Sequence, residues 1–137
     1  MTTTSVDVHN TVEQQAAHLF DYSVKLALDC RVVSYGVAEN EMNEPGLFGQ
    51  SMGRALTKLY TEALLPLGLP NLTALFVSDK THRPGKFATG WTLTYGDGLS
   101  KDADMAWRAD VAQCFMNAPL LAQHHVVVAV RTKLLNW

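Results

Sequence analysis

Charged residues are scarce in this 137-residue chain, at 18% of the sequence, and neither sign dominates, so that the formal net charge is −2. This balance, with a pI near 6.2, excludes a strongly basic nucleic-acid-binding domain. Hydrophobic residues make up 47% of the chain, which excludes intrinsic disorder over most of its length. We expect one domain, because each half of so short a chain would bury too little core.

Long hydrophobic runs are also missing, and the first residues do not show the pattern of a secretory leader. The first ten residues hold neither a basic segment nor an apolar one, which predicts that there is no signal peptide. The longest apolar-rich stretch, residues 119–130, is interrupted by three polar residues and falls short of the roughly 20 residues that span a bilayer. We therefore expect a soluble, cytoplasmic protein with no membrane partner.

Cysteine is rare, with Cys30 and Cys114 as the two in the sequence. Two cysteines suit a reducing compartment. Both occur in apolar-periodic segments, which predicts two small buried side chains. A disulfide between them stays open, because pairing depends on their geometry.

Strong catalytic motifs are absent: the sequence contains no Gly-rich phosphate loop, CxxC, HExxH or GxSxG. We therefore predict no cofactor and no metal, and we assign no catalytic residue. A small enzyme with a histidine base remains an alternative, and His82, His124 and His125 are its candidates. No nucleophile or acid pairs with them at a recognisable spacing, so enzymatic activity is not favoured.

The pattern of apolar and turn residues predicts an α+β fold. Residues 1–10 are polar, and we expect them to form a flexible N-terminus, with a single domain over residues 11–137. The expected architecture is about four helices packed on a small, mostly antiparallel sheet of about three strands. Helices are expected at residues 11–30, 35–42, 46–65 and 100–117, and strands at residues 72–78, 87–95 and 125–132.

Two local sequence patterns are the main evidence for the first helix and the last strand. The tetrapeptide Thr11-Val-Glu-Gln14 matches the capping box that begins a helix. The run Val126-Val-Val-Ala-Val130 is rich in β-branched residues and is typical of a buried strand.

Charge is distributed unevenly along the chain, although the total is near zero. Residues 1–48 hold seven acidic and two basic residues, a net charge of −5, whereas residues 49–86 hold five basic and two acidic residues, a net charge of +3. Such asymmetry is typical of a partner-binding surface. Two candidate surfaces follow: an acidic one that mimics nucleic-acid phosphate, and a basic one in a polar turn. The acidic residues are Glu39, Glu41 and Glu44, and the turn contains Lys80, His82, Arg83 and Lys86.

Two segments resemble a known group of proteins. The segment Val33-Ser-Tyr-Gly-Val-Ala38, and the strand and turn in residues 67–85, are similar to a small uncharacterised domain of bacterial, plasmid and phage proteins. That domain has a "GLPxLTxLVV" strand followed by a "TGxPG" turn, and here Asn71 and His82 depart from its commonest form. The resemblance covers residues 31–85 and implies a mobile-element context, which by analogy alone suggests a binding protein.

The preferred hypothesis is therefore a non-enzymatic interaction protein of phage or mobile-element type. It would bind and inhibit a larger host protein or a nucleoprotein defence complex through the acidic or the basic surface. Self-association is a further expectation, because the low charge fraction and a valine-rich terminal strand favour an exposed apolar patch.

A nucleic-acid-binding module is the other alternative. A helix-turn-helix-like segment over residues 35–65 would present Arg54 and Lys58 to the phosphates. The negative total charge and the absence of interleaved exposed aromatic residues make nucleic acid a less favoured partner.

Overall fold

Helices dominate the structure, a computed structural model that describes residues 11–42, 52–83 and 101–136. Helix α1 spans Val12–Leu28, strand β1 spans Val33–Ser34 and helix α2 spans Tyr35–Met42. Helix α3, Met52–Leu59, continues as a π-helical turn, Tyr60–Leu64, and is followed by a 3-10 turn, Leu72–Leu75, and strand β2, Phe76–Val77. Helices α4, Lys101–Met116, α5, Ala118–Leu121, and α6, His124–Leu135, complete this part of the chain.

The predicted three-stranded, mostly antiparallel sheet is wrong. Within the described ranges the sheet has two strands, and β1 and β2 pair in parallel, with Val33 opposite Phe76 and Ser34 opposite Val77. The expected strand at residues 72–78 is mostly the 3-10 turn, and the one at residues 125–132 is part of α6. The expected strand at residues 87–95 lies outside the described residues, as do the predicted flexible residues 1–10. The domain is therefore mostly helical rather than α+β.

The spacing of the buried residues in α6 shows why the strand predicted at residues 125–132 is wrong. Val126, Val130 and Leu134 recur every fourth position and are buried, whereas Val128 is 42% exposed. A strand would place Val126, Val128 and Val130 on one face. Burial of a helical face outweighs the β propensity of the valine run, since propensity is a weak preference that tertiary packing overrides.

Helix α1 is the central element of the core. Thr11 begins it as predicted, because its Oγ1 accepts a hydrogen bond from the backbone N–H of Gln14 at 3.1 Å. The helix packs against α3, α6, α5 and the 3-10 turn. Nine of its residues are buried, which is far more than a single stripe: Gln15, Ala16, Ala17, Leu19, Phe20, Ser23, Val24, Leu26 and Ala27.

The other predicted helices are present with small differences. Helix α2 matches its predicted range, and the Ser34 hydroxyl accepts the N–H of Val37 at 3.2 Å. The predicted helix at 46–65 is helical over its described part, from Met52 onward, and α4 lies within the predicted 100–117.

The two cysteines differ in their surroundings. Cys114 is buried, as predicted, whereas Cys30 is exposed, so the prediction for Cys30 is wrong. Cys30 ends α1 in the left-handed conformation, at φ 53°, and the next residue, Arg31, donates its N–H to the carbonyl of Leu26 at 2.9 Å. This is the position at which helices prefer glycine. Both thiols are free.

The helical assignment of α6 predicts unequal effects of two neighbouring valine substitutions. Val130→Ala should lower the free energy of unfolding by about 2 kcal/mol, because it removes two fully buried methyl groups. Val128→Ala should change it by less than about 0.5 kcal/mol, because Val128 is half-exposed and alanine favours a helix. Urea denaturation of both variants measures the difference; equal losses would contradict the helix.

The left-handed residue at the end of α1 predicts a stabilising substitution. Cys30→Gly should raise the free energy of unfolding by about 1 kcal/mol, because glycine has no Cβ to oppose a positive φ. Cys30→Ser is the control, since it removes the thiol but keeps the strain, and it should show no such gain in the same denaturation experiment. A gain in both variants would assign the effect to the thiol instead.

Candidate functional site

The outward surface of α4 carries four exposed apolar residues in a row. Met105 and Met116 are 62% and 73% exposed, and Ala109 and Ala112 between them are exposed as well. Their spacing of four, three and four residues places all four on one side of the helix. We call this row the α4 stripe.

The opposite side of α4 is fixed to the 3-10 turn by two side-chain hydrogen bonds. Trp107 donates its Nε1–H to the carbonyl of Ala74 at 2.8 Å, and the buried Cys114 thiol donates to the carbonyl of Asn71 at 3.3 Å. Burial, with a smaller contribution from the charge of Asp110, raises the pKa of the Cys114 thiol to about 12. The thiol therefore stays protonated and acts as a structural donor. With this side held, the stripe faces away from the core.

A groove with a cavity volume of about 830 Å³ runs along one flank of the stripe. Helix α4 contributes Ala106, Ala109, Asp110 and Gln113 to it. The facing wall is the chain from the π-helical turn to Asn71, where Leu65 is 58% exposed.

The shape of that wall follows from two local backbone features. The N–H of Leu65 bonds to the carbonyl of Tyr60 at 2.8 Å, five residues back, which widens the helix at its end. Gly68 then adopts a left-handed φ of 67°, and the N–H of Leu69 bonds to the carbonyl of Leu64 at 2.9 Å, as in a Schellman motif. The turn so formed directs Leu65 outward at the edge of the groove.

A smaller depression of about 300 Å³ lies on the other flank of the stripe. It is lined by Val32, Trp107, Phe115 and Arg108 among others. Arg108 is held over this flank because its Nε bonds to the Asp104 carboxylate at 2.9 Å and its guanidinium lies 5.9 Å from the Trp107 ring centre. The two flanks thus carry opposite charges, from Asp110 in the groove and Arg108 in the depression.

One residue of the predicted acidic surface, Glu41, is paired with a cation of the chain. Glu41 accepts two bonds from the Arg31 guanidinium, at 2.7 and 3.1 Å, and a third from the Tyr22 hydroxyl at 2.7 Å. Hydrogen bonds from Arg31 first, and from Tyr22 second, lower the pKa of Glu41. Glu39 is exposed on α2, and Glu44 lies outside the described residues. One carboxylate of the three is therefore bound to a cation.

The predicted basic turn is held by a backbone hydrogen bond within the turn and by an ion pair with α4. The N–H of His82 bonds to the carbonyl of Ser78 at 2.9 Å, and His82 has a left-handed φ of 57°. Lys80 and His82 are exposed, whereas Arg83 lies 3.1 Å from the Asp104 carboxylate of α4. Lys86 is outside the described ranges.

The structure brings this turn and α2 together, which the sequence did not predict. Each follows one of the two parallel strands at the same edge of the sheet. An Asp79 carboxylate oxygen lies 3.3 Å from the point that a Cβ on Gly36 would occupy. Glycine at this position therefore lets the turn pack against the first turn of α2.

The residues of the two alternative hypotheses lie on α3, in the turn after β2 and on α6. Arg54 is exposed on α3, but Lys58 forms ion pairs with Glu62 at 2.6 Å and Glu13 at 3.6 Å. His124 and His125 are exposed in the first turn of α6. Among the described residues there is no group of three metal-ligating side chains.

The described part of the chain contains no helix with the length and apolar character needed to cross a bilayer. Comparison with protein-family models, with curated proteins and with solved structures finds no match in any of the three.

The α4 stripe was missed by sequence reasoning, although a signal for it was present. The apolar spacing within residues 100–117 predicts one apolar face, formed by Trp107, Val111, Cys114 and Phe115. Met105, Ala109, Ala112 and Met116 form a second apolar row on the same helix. A helix with two apolar faces is expected to contact something on both.

The Glu41 contacts predict an acid-dependent effect of Tyr22→Phe. The folded pKa of Glu41 is lowered, so its contacts stabilise the fold above the unfolded pKa, roughly 4.3, and are lost as pH falls through the folded value. Tyr22→Phe should lower the thermal midpoint at neutral pH, and the difference from wild type should shrink in acid. Glu39→Gln is the control on the same helix, and a pH-independent difference for Tyr22→Phe would contradict this account.

Proposed function

We propose that this chain is a non-enzymatic protein-binding domain that docks its partner on the α4 stripe and the adjoining groove. The observation that carries the proposal is the row of four exposed apolar residues on a helix whose other side is fixed to the core. Exposed apolar surface next to a groove is typical of protein-binding sites.

The composition of the stripe supports this proposal. Methionine is unbranched and polarisable, so Met105 and Met116 adapt to the shape of a partner, and methionine is common on protein-binding surfaces. The two central positions hold alanine, whose short side chain lets another backbone approach the middle of the stripe closely. Leu65 and Leu120, which are 58% and 41% exposed, extend the apolar surface across the groove.

The charged residues support a partner-binding surface less strongly than the α4 stripe does. Glu41 is bound to Arg31, Lys58 to Glu62, and Arg83 lies close to Asp104. Exposed ion pairs of this kind hold their charges close together and leave little field at a distance. Glu39, Lys80 and His82 are exposed, and their part in partner binding remains a prediction. Inhibition of a host defence complex is also a prediction, and it depends on the sequence resemblance alone.

The proposal predicts that a charge in the middle of the stripe abolishes peptide binding. A displayed library of random peptides is selected on the immobilised full chain, and Ala112→Glu should reduce binding of the selected peptides at least tenfold, because it places a carboxylate in an apolar contact. Val128→Glu, at an exposed apolar position of α6, is the matched control and should bind them as wild type does.

Thermal unfolding of both variants separates loss of binding from loss of the fold. Ala112 is exposed, so its replacement should leave the thermal midpoint nearly unchanged. Peptides that bind equally well to wild type, Ala112→Glu and Ala109→Glu would place the binding surface elsewhere and overturn the proposal.

A further inference from the structure

We infer that Met105 and Met116 are the methionines that a peroxide oxidises in the folded protein, and that the sulfoxides so formed weaken binding at the α4 stripe. The first part concerns the side chains themselves. The second part rests on the proposed protein-binding function and adds a chemical means of regulating it. Both follow from where the fold exposes its methionines and from what each of them contributes to the core.

The four methionines in the described part of the chain divide into two pairs. Met105 and Met116 are 62% and 73% exposed, whereas Met52 is 8% exposed. Met42 is partly buried and packs against the core. A peroxide reaches a thioether sulfur from solvent, and susceptibility to oxidation follows exposure. The folded chain therefore directs the reaction to the two ends of the stripe.

The two cysteines do not take the place of these methionines. A thiol reacts as the thiolate, and burial raises the pKa of the Cys114 thiol to about 12, so this thiol stays protonated and inert. Cys30 is free and exposed, but it lies at the end of α1. Its oxidation is separable from that of the stripe by the variant Cys30→Ser.

The reaction needs a peroxide and no group of the protein other than the thioether. A sulfur lone pair attacks one peroxide oxygen, so that a sulfur–oxygen bond forms while the oxygen–oxygen bond breaks. Sulfur is oxidised by two electrons, and the second oxygen leaves as hydroxide, which takes up a proton and becomes water. The sulfoxide oxygen is a polar acceptor on a side chain that was apolar, and methionine sulfoxide reductases reverse the change at the expense of thiols.

Oxidation at these positions changes the stripe and leaves the fold intact. Neither Met105 nor Met116 belongs to the core of the described residues, and α4 is held from its other side by Trp107 and Cys114. A sulfoxide oxygen bonds to water, and an apolar contact would remove that bond without replacing it. A partner seated on the stripe therefore loses affinity when either end is oxidised.

Peptide mapping by mass spectrometry tests the first part on the full wild-type chain. After treatment with hydrogen peroxide, Met105 and Met116 should convert about tenfold faster than Met52, in the proportion of their exposed fractions. In urea, where the chain is unfolded, the three residues should convert at similar rates. Equal rates for Met52 and Met105 in the native chain would overturn the inference.

Peptide binding tests the second part. Peptides selected on the wild type from the random library should bind at least about fivefold more weakly after peroxide treatment. Treatment with the two reductases, one for each sulfoxide epimer, should restore binding. The thermal midpoint should change little; unfolding of the oxidised chain would attribute the loss to the fold and contradict this part.

Three variants, each compared with itself before and after peroxide, identify the residues responsible. The double variant Met105→Leu, Met116→Leu has no sulfur on the stripe and should show no loss of affinity on treatment. Met52→Leu is the matched control at a buried methionine, and Cys30→Ser is the control for the exposed thiol. Both should lose affinity as the wild type does. A loss that persists in the double variant, or is absent in Cys30→Ser, would overturn the role of the two methionines.

The outcomes separate this inference from the proposed function. Unchanged peptide binding on a chain in which both methionines are sulfoxides would reject the second part and leave the docking surface in place. Failure to select any peptide on the wild type would reject the proposed function and the second part with it. The oxidation map alone decides the first part, because it requires no partner.

Discussion

Burial of α1 on several sides at once is the constraint on which the rest of the fold depends. A helix that buries residues around more than half of its circumference must be contacted from several directions, and α3, α6, α5 and the 3-10 turn supply those contacts. The polar residues of α1 are consistent with this position. Asp21 pairs with Arg131 of α6 at 2.8 Å, and the buried Ser23 hydroxyl donates to the carbonyl of Phe20 at 2.9 Å. Asp21 and Ser23 of α1 therefore both have partners, as buried polar groups usually do.

The central position of α1 explains why α4 has a free outer side. Helix α4 is attached mainly to the 3-10 turn, through Trp107 and Cys114, and contacts α1 to a lesser extent. It is therefore a peripheral helix with one side committed to the fold. The apolar residues on its other side do not contribute to the core. Exposure of the methionines to water costs free energy that binding of a partner would recover. Under the proposed function, these residues serve binding rather than folding.

How much of this was predictable from the sequence depended on whether local signals agreed with packing. Helix α1 followed from its capping box and apolar spacing, and α2 from its Ser34 cap, because both signals are local. The strand prediction for Val126–Val130 failed because β-branched composition was weighted above the four-residue spacing of Val126, Val130 and Leu134. The fold class failed with it, since a three-stranded sheet required that strand. The predicted acidic and basic surfaces remain predictions, but their net charges were summed along segments, and such a sum does not show which charges are paired in space, as Glu41 is with Arg31.

The pairing of charges has a consequence for specificity. Arg31 and Glu41 both belong to the acidic segment of the sequence, and Lys58 pairs with Glu13 of that segment from the basic one. The Lys58–Glu13 contact therefore joins a charge of the +3 segment to one of the −5 segment, whereas the Arg31–Glu41 pair is already counted within the −5. Under the proposed function, an apolar stripe of alanine and methionine provides affinity with little discrimination among similar partners. Because Arg108 beside the stripe is itself paired with Asp104 at 2.9 Å, attraction between distant charges contributes little to the choice of partner.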